Sequence, residues 1–246
     1  MPKIYLSPST QEANLYVNGG TEEFYMNKIA DAMEPYLVSN GIRFTRNTPQ
    51  MTAASSIRQS KQDYYDFYLA LHSNAAPEGR YGQIQGTDVY YYPTSTNGRR
   101  AAEIIANNLK EIYPNPSLVR TVSTTRLGEV RQPTPPSVLI EFAYHDNVQD
   151  ANWIKNNINA IAQNVVKSLT EYFDIPFVPA QTPRRAVVAT QSTALNIRSK
   201  PELTAPIIAR APKGASITVV GRYNDWYVVN YGNVSGYAKS EFIDLV

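Results

Sequence analysis

The chain has no cysteine and only two histidines, His72 and His145, in 246 residues. Without thiols there is no disulfide framework and no thiolate metal site. That fits an extracytoplasmic protein without requiring one. The same count rules out a site built on three imidazoles. Excess charge is also lacking. The formal net charge is +2, far below the basic footprint of a nucleic-acid binder. The pairs Arg99-Arg100 and Arg184-Arg185 stand alone and read as solvated surface. No apolar run approaches the roughly 20 residues of a membrane span. The opening "MPKIYLSPS" enters a strand at once and lacks the apolar core of a signal peptide. Action outside the cell then calls for another export or release route.

Tyrosine is abundant, with 18 residues against 7 Phe and 2 Trp. Its apolar face and polar tip suit half-buried strand positions, and also sugar or interface contacts. Residues 1–173 alternate strands and helices. "KIYL", "IRFTR", "FYLAL", "GTDVYYYP" and "SVLIEF" read as strands. "TEEFYMNKIADAMEPYLVSNG" places Met26, Ile29, Met33 and Leu37 at helical spacing, with Thr21 as N-cap and Gly41 as the stop. "GRRAAEIIANNLKEIY" is helical on Ala102, Ile105, Leu109 and Ile112. One long helix is expected near 150–173, striped by Ile154, Ile158, Ile161, Val165 and Leu169. This alternation predicts an α/β fold, a mostly parallel twisted sheet flanked by helices. Residues 174–185, "DIPFVPAQTPRR", read as a stiff proline-rich linker. Residues 186–246 turn to short strands and turns, the texture of a small β-barrel.

In an open parallel sheet, ligands bind beyond the carboxyl ends of the strands. His72 is expected to end the third strand, and Glu141 to end "SVLIE", where an acid after "VLI" is costly to bury alone. The loop "SPSTQEAN" follows the first strand, and Glu23 opens the next helix. One His and two Glu can therefore meet at one sheet edge. That set suits zinc hydrolysis, in which three protein ligands leave one position for water and a free carboxylate accepts its proton. With two histidines in the chain, at least one ligand must be an oxygen donor. Each residue has a structural alternative. His72 can be a hydrogen-bonded strand-end histidine, Glu23 a complement to a helix N-terminus, and His145 a cap in "AYHDN".

These motifs carry a resemblance. Residues 1–173 resemble the zinc-dependent N-acetylmuramoyl-L-alanine amidases of bacterial cell walls. That family has an Asp-Pro-Gly-His-Gly loop after a strand, then a Glu opening the next helix. A later strand ends in Ser-x-His-x-Asn, and a final strand ends in a Glu followed by a hydrophobic residue and Asn. "TEEFYMNKIADAM", "LALHSNA" and "VLIEFAYHDN" match the last three in order, and "NGIRFTRNTP" looks like the family's second strand. The resemblance implies Glu23 and His72 as zinc ligands and Glu141 as general base. It implies cleavage of the amide between N-acetylmuramic acid and L-alanine in peptidoglycan, at the cell wall. Residues 186–246 resemble a bacterial SH3-like wall-binding domain, through "LNIRS", the Lys-Gly turn, Trp226-Tyr227 and "SGYAKSEFI". That likeness implies Trp226 and Tyr227 in wall binding, with a place in the barrel core as the alternative.

One departure stands out. Where the family has Asp-Pro-Gly-His, this chain reads "SPSTQ". Thr10 aligns with the missing His, and Gln11 follows. Gln11 has the reach and an acceptor oxygen to be the third ligand, although a neutral amide oxygen binds zinc less well than imidazole. Thr10 and His145 are the other candidates. The loss also admits a second reading, a catalytically inactive or weakly active peptidoglycan-binding protein that keeps the amidase fold.

Overall fold

Six strands share one sheet: β1 (Lys3–Pro8), β2 (Arg43–Arg46), β3 (Phe67–Asn74), β4 (Thr87–Tyr91), β5 (Val119–Ser123) and β6 (Ser137–Tyr144). The structure, a computed structural model, describes residues 1–246. Strand order is β2-β1-β3-β6-β4-β5. The β1–β3, β3–β6 and β4–β5 pairs run parallel, and β4 meets β6 antiparallel. The helices are α1 (Glu22–Ser39), α2 (Ala53–Ser60), α3 (Thr96–Leu109), α4 (Gly128–Arg131), α5 (Val148–Asn156) and α6 (Ile158–Tyr172). Chain contacts divide the molecule into two compact units, one of residues 3–33 and 44–172, the other of 1–2, 34–43 and 173–246.

Central strands β3 and β6 are buried almost throughout, as strands covered on both faces must be. Both run further than expected. The ladder between them continues through His72↔Glu141 to Asn74↔Tyr144, with an irregularity after His72. His72 and Glu141 therefore lie inside strands rather than at their ends. Polar "HSN" still pairs because its backbone groups find partners on β6. Helix α1 starts where its cap predicts: Thr21 Oγ1 accepts the Phe24 N–H at 3.1 Å. It stops at Gly41, whose φ of 66° suits glycine. The single helix expected near 150–173 is two helices, broken at Asn157. The Asn157 side chain donates to the Trp153 carbonyl at 2.8 Å, a local bond that competes with helix continuation.

Seven short strands form the other sheet, all antiparallel: β7 (Arg184–Val188), β8 (Leu195–Arg198), β9 (Ile207–Ala211), β10 (Ser216–Tyr223), β11 (Trp226–Tyr231), β12 (Val234–Lys239) and β13 (Ile243–Leu245). Its core holds Val188, Ile197, Ile217, Val229 and Ala238. Residues 175–183 form neither helix nor strand, in line with the prolines. They are not solvated throughout, because Val178 is 1% exposed. Within this unit, Val178 N–H donates to Asn40 Oδ1 at 2.6 Å and its carbonyl accepts from Asn40 Nδ2 at 2.8 Å.

Candidate active site

Strand β3 carries His72 beside Glu141 on β6, and β4 carries Asp88 on the far side of Glu141. Neighbouring strands thus set a row of ionisable groups across the sheet. Two further carboxylates close on the imidazole. Glu22 Oε1 lies 2.8 Å from His72 Nδ1, and Glu129 Oε2 lies 2.9 Å from Nε2. His72 is 7% exposed, Glu22 1% and Glu129 5%. Burial opposes charge on His72, but the bonds to Glu129 and Glu22 outweigh it and hold the imidazole well above its usual pKa. Burial likewise opposes charge on Glu22 and Glu129. The hydrogen bond and charge of His72 prevail, so both stay below the ordinary carboxylate range.

The loop after β1 supplies the remaining contacts. Asn14 Nδ2 donates to Glu22 Oε2 at 2.6 Å and to Gln11 Oε1 at 3.2 Å. Gln11 Nε2 lies 3.3 Å from His72 Nδ1, and a half-turn of the amide would exchange its nitrogen and oxygen. Ser9, Thr10, Gln11, Asn47, Met51 and His72 line a cavity of about 350 Å³ that opens on this cluster.

Glu141 differs from the other acids. Its Oε2 is sealed from solvent and has no hydrogen-bond partner. Burial pushes its pKa up to about 7; His72 pulls the other way, while Glu22, Asp88 and Glu129 add to the rise. Asp88 is held by Arg120, whose Nε donates to Oδ1 at 2.9 Å.

The helix acid that meets His72 is Glu22, not the expected Glu23. Successive helical residues turn by about 100°, so only one of two adjacent acids can face β3. Glu23 is partly exposed, and its backbone carbonyl accepts from Asn27 Nδ2 at 2.8 Å. His145 does not join the cluster. Its Nδ1 lies 2.9 Å from the Ser73 carbonyl, and its ring stacks on Tyr16 at 5.4 Å. Glu129 was not foreseen. It sits in "TTRLGEVRQP", a stretch with no periodic pattern and no metal-ligand spacing.

No trio of His, Asp and Glu side chains is arranged to hold a metal by itself. Glu22 Oε1 and His72 Nδ1 face each other at 2.8 Å with the Gln11 carboxamide beside them, and Glu141, whose Oε2 has no partner, is the register partner of the same histidine. An oxygen–nitrogen pair with one neutral oxygen donor fits a divalent cation.

In the second unit, Trp226 is buried beside a cleft of about 330 Å³ lined also by Thr193, Arg198, Leu203, Lys239 and Phe242. Lys239 Nζ lies 5.0 Å over the Trp226 ring and pairs with Asp225. Tyr227 does not line that cleft; it packs against the core.

The family model for N-acetylmuramoyl-L-alanine amidase matches residues 9–171. The chain belongs to that family. The amidase domain is followed by a match to the bacterial SH3 domain over residues 193–244. No curated protein matches the chain in sequence. Solved structures of similar fold include the N-acetylmuramoyl-L-alanine amidase AmiC2 of Nostoc punctiforme, at 16% identity and TM-score 0.61, covering 70% of this chain and 97% of that one. The catalytic domain of the amidase CwlV from Bacillus (Paenibacillus) polymyxa var. colistinus aligns at 15% identity and TM-score 0.62, over 72% of this chain and 100% of that one. An N-acetylmuramoyl-L-alanine amidase from Clostridium difficile 630 aligns at 14% and 0.62, over 70% and 97%. At these identities the likeness is one of fold.

Proposed function

We propose that the chain hydrolyses the amide bond between N-acetylmuramic acid and L-alanine in peptidoglycan, acting at the bacterial cell wall outside the cytoplasm. The observation that carries this reading is Glu141: a sealed, unpartnered carboxylate oxygen beside the Glu22–His72 pair. Such a group is costly to keep and is suited to accept a proton.

Glu22 and His72 would hold a divalent metal, zinc by resemblance, with the Gln11 carboxamide oxygen as third donor. Such an ion would supply a water of pKa about 7 and polarise the scissile carbonyl. Glu141, with a pKa near 7, accepts the proton of the attacking water and passes it to the leaving amine of L-alanine. The enclosed cluster strengthens these charge interactions by excluding water. The C-terminal domain binds wall through the cleft at Trp226 and raises the local concentration of the amidase domain. Tyr227 has a core role instead.

The neutral Gln11 favours a second reading, wall binding without turnover. Incubating purified peptidoglycan with the zinc-loaded full chain separates the two. New free amino groups on L-alanine, abolished by a chelator, support the amidase. Sedimentation with wall and no release of amino groups supports the binding protein.

A further inference from the structure

Glu129 lies on α4, outside every motif that carries the resemblance, yet its carboxylate meets His72, Ser7 and Tyr68 at once. Its Oε1 accepts from Ser7 Oγ and from Tyr68 OH, each at 2.6 Å. Its Oε2 faces His72 Nε2 at 2.9 Å. Ser7 Oγ in turn accepts from Asn47 Nδ2 at 3.3 Å, and Asn47 also donates to the Pro8 carbonyl at 3.0 Å. Donor direction therefore runs one way along this chain, from the Asn47 amide through Ser7 to the carboxylate. An ionised carboxylate accepts and does not donate.

We propose that Glu129 is a positioning residue: it holds the proton of His72 on Nε2 and locks the ring with Nδ1 turned toward Glu22 and Gln11. The hydrogen-bond geometry supports it. Ser7 and Tyr68 donate to Oε1 at 2.6 Å, and the imidazole nitrogen faces the remaining oxygen, Oε2, at 2.9 Å. A flip of the ring would replace Nε2 by a carbon and lose the bond at 2.9 Å. Ser7 and Tyr68 hold the carboxylate itself in place. The anion is kept charged in a buried site by this same imidazole. The orientation stands on geometry alone; its use, to present Nδ1 to a metal, rests on the amidase reading. A metal-bound histidine commonly gives its other N–H to such a carboxylate, and losing that partner typically costs 10–100-fold in metal affinity.

The test is nitrogen-15 NMR of histidine in the full chain, metal-free, at one fixed pH near neutrality. Two histidines give a simple spectrum, and His145→Gln assigns it. The wild type is expected to show a slowly exchanging proton on His72 Nε2. Glu129→Gln, nearly isosteric and still able to accept through its oxygen, keeps that proton with faster exchange. Glu129→Leu loses the slow signal on Nε2. Zinc affinity, read by competition with a chromogenic chelator, falls about 10–100-fold in Glu129→Leu. If Glu129→Leu does not fold, faster exchange in Glu129→Gln carries the test. A bare Nε2 in the wild type overturns the proposal, as does an exchange rate unchanged in the foldable variants. A wild type that binds no zinc defeats the amidase reading while leaving the NMR result intact.

Discussion

Glu22 Oε1 and His72 Nδ1 stand 2.8 Å apart, although fifty residues separate them in the chain. Glu23, the next residue, makes no such contact. Glu22→Gln should therefore weaken zinc binding and wall hydrolysis together, and leave a buried imidazolium short of one anion. The stability cost is expected at roughly 1–3 kcal/mol. Glu23→Gln should stay within about 0.5 kcal/mol of wild type and keep its activity. Chemical denaturation and amino-group release on both variants check this. Equal losses would remove Glu22 from the site.

Glu141 makes a prediction whose sign follows from linkage. Its folded pKa is raised from 4.5 to about 7. Between those values the folded protein keeps a proton that the unfolded chain has lost. Stability from this group therefore falls as pH rises through that window and levels off above it. Glu141→Gln removes the penalty. In chelator, the variant should match wild type near pH 4 and exceed it near pH 8 by on the order of 3 kcal/mol. It should also lose hydrolysis, since an amide accepts no proton from water. A stability difference independent of pH would refute the assignment.

Gln11 offers a gain-of-binding test. Its side chain is exposed and lies 3.3 Å from His72 Nδ1, so substitution there spares the core. Gln11→His should tighten zinc, because imidazole nitrogen is the better donor. Gln11→Ala should loosen it, and His72→Ala should loosen it further. A zinc indicator titration ranks the three. Unchanged affinity in Gln11→Ala, with complete loss in His145→Ala, would shift the third ligand to His145.

Asn40 carries a purely structural prediction. It is fully buried, and it satisfies both backbone groups of Val178. Asn40→Ala leaves a buried N–H and a buried carbonyl unmet, each worth roughly 1–3 kcal/mol. The thermal midpoint should fall by several degrees. A free, solvated stretch at 175–183 would show no change.

Much of this architecture was legible in residue order. Helix α1 reads from its apolar spacing, from Thr21 and from Gly41, because capping and helical period are local properties. Strands β3 and β6 read from their apolar runs, and a lone His and a lone Glu inside such runs mark themselves as costly. The break at Asn157 was not legible. Its cause is one side chain choosing the Trp153 carbonyl over solvent, a choice that leaves the apolar stripe unchanged.

Sequence by itself determined the alternation of elements, the change of texture after residue 173, and the candidacy of His72 and Glu141. Each follows from interactions between residues a few positions apart. Only the tertiary structure decided that Glu22 and not Glu23 faces the imidazole, since about 100° of helical rotation separates neighbours. It also decided that His145 turns to Ser73, and that Glu129 grips the far side of His72. Those outcomes depend on where α4 packs against the sheet and how β1, β3 and β6 align. Hydrogen bonds at 2.6 to 2.9 Å demand that alignment, and no spacing in the chain encodes it.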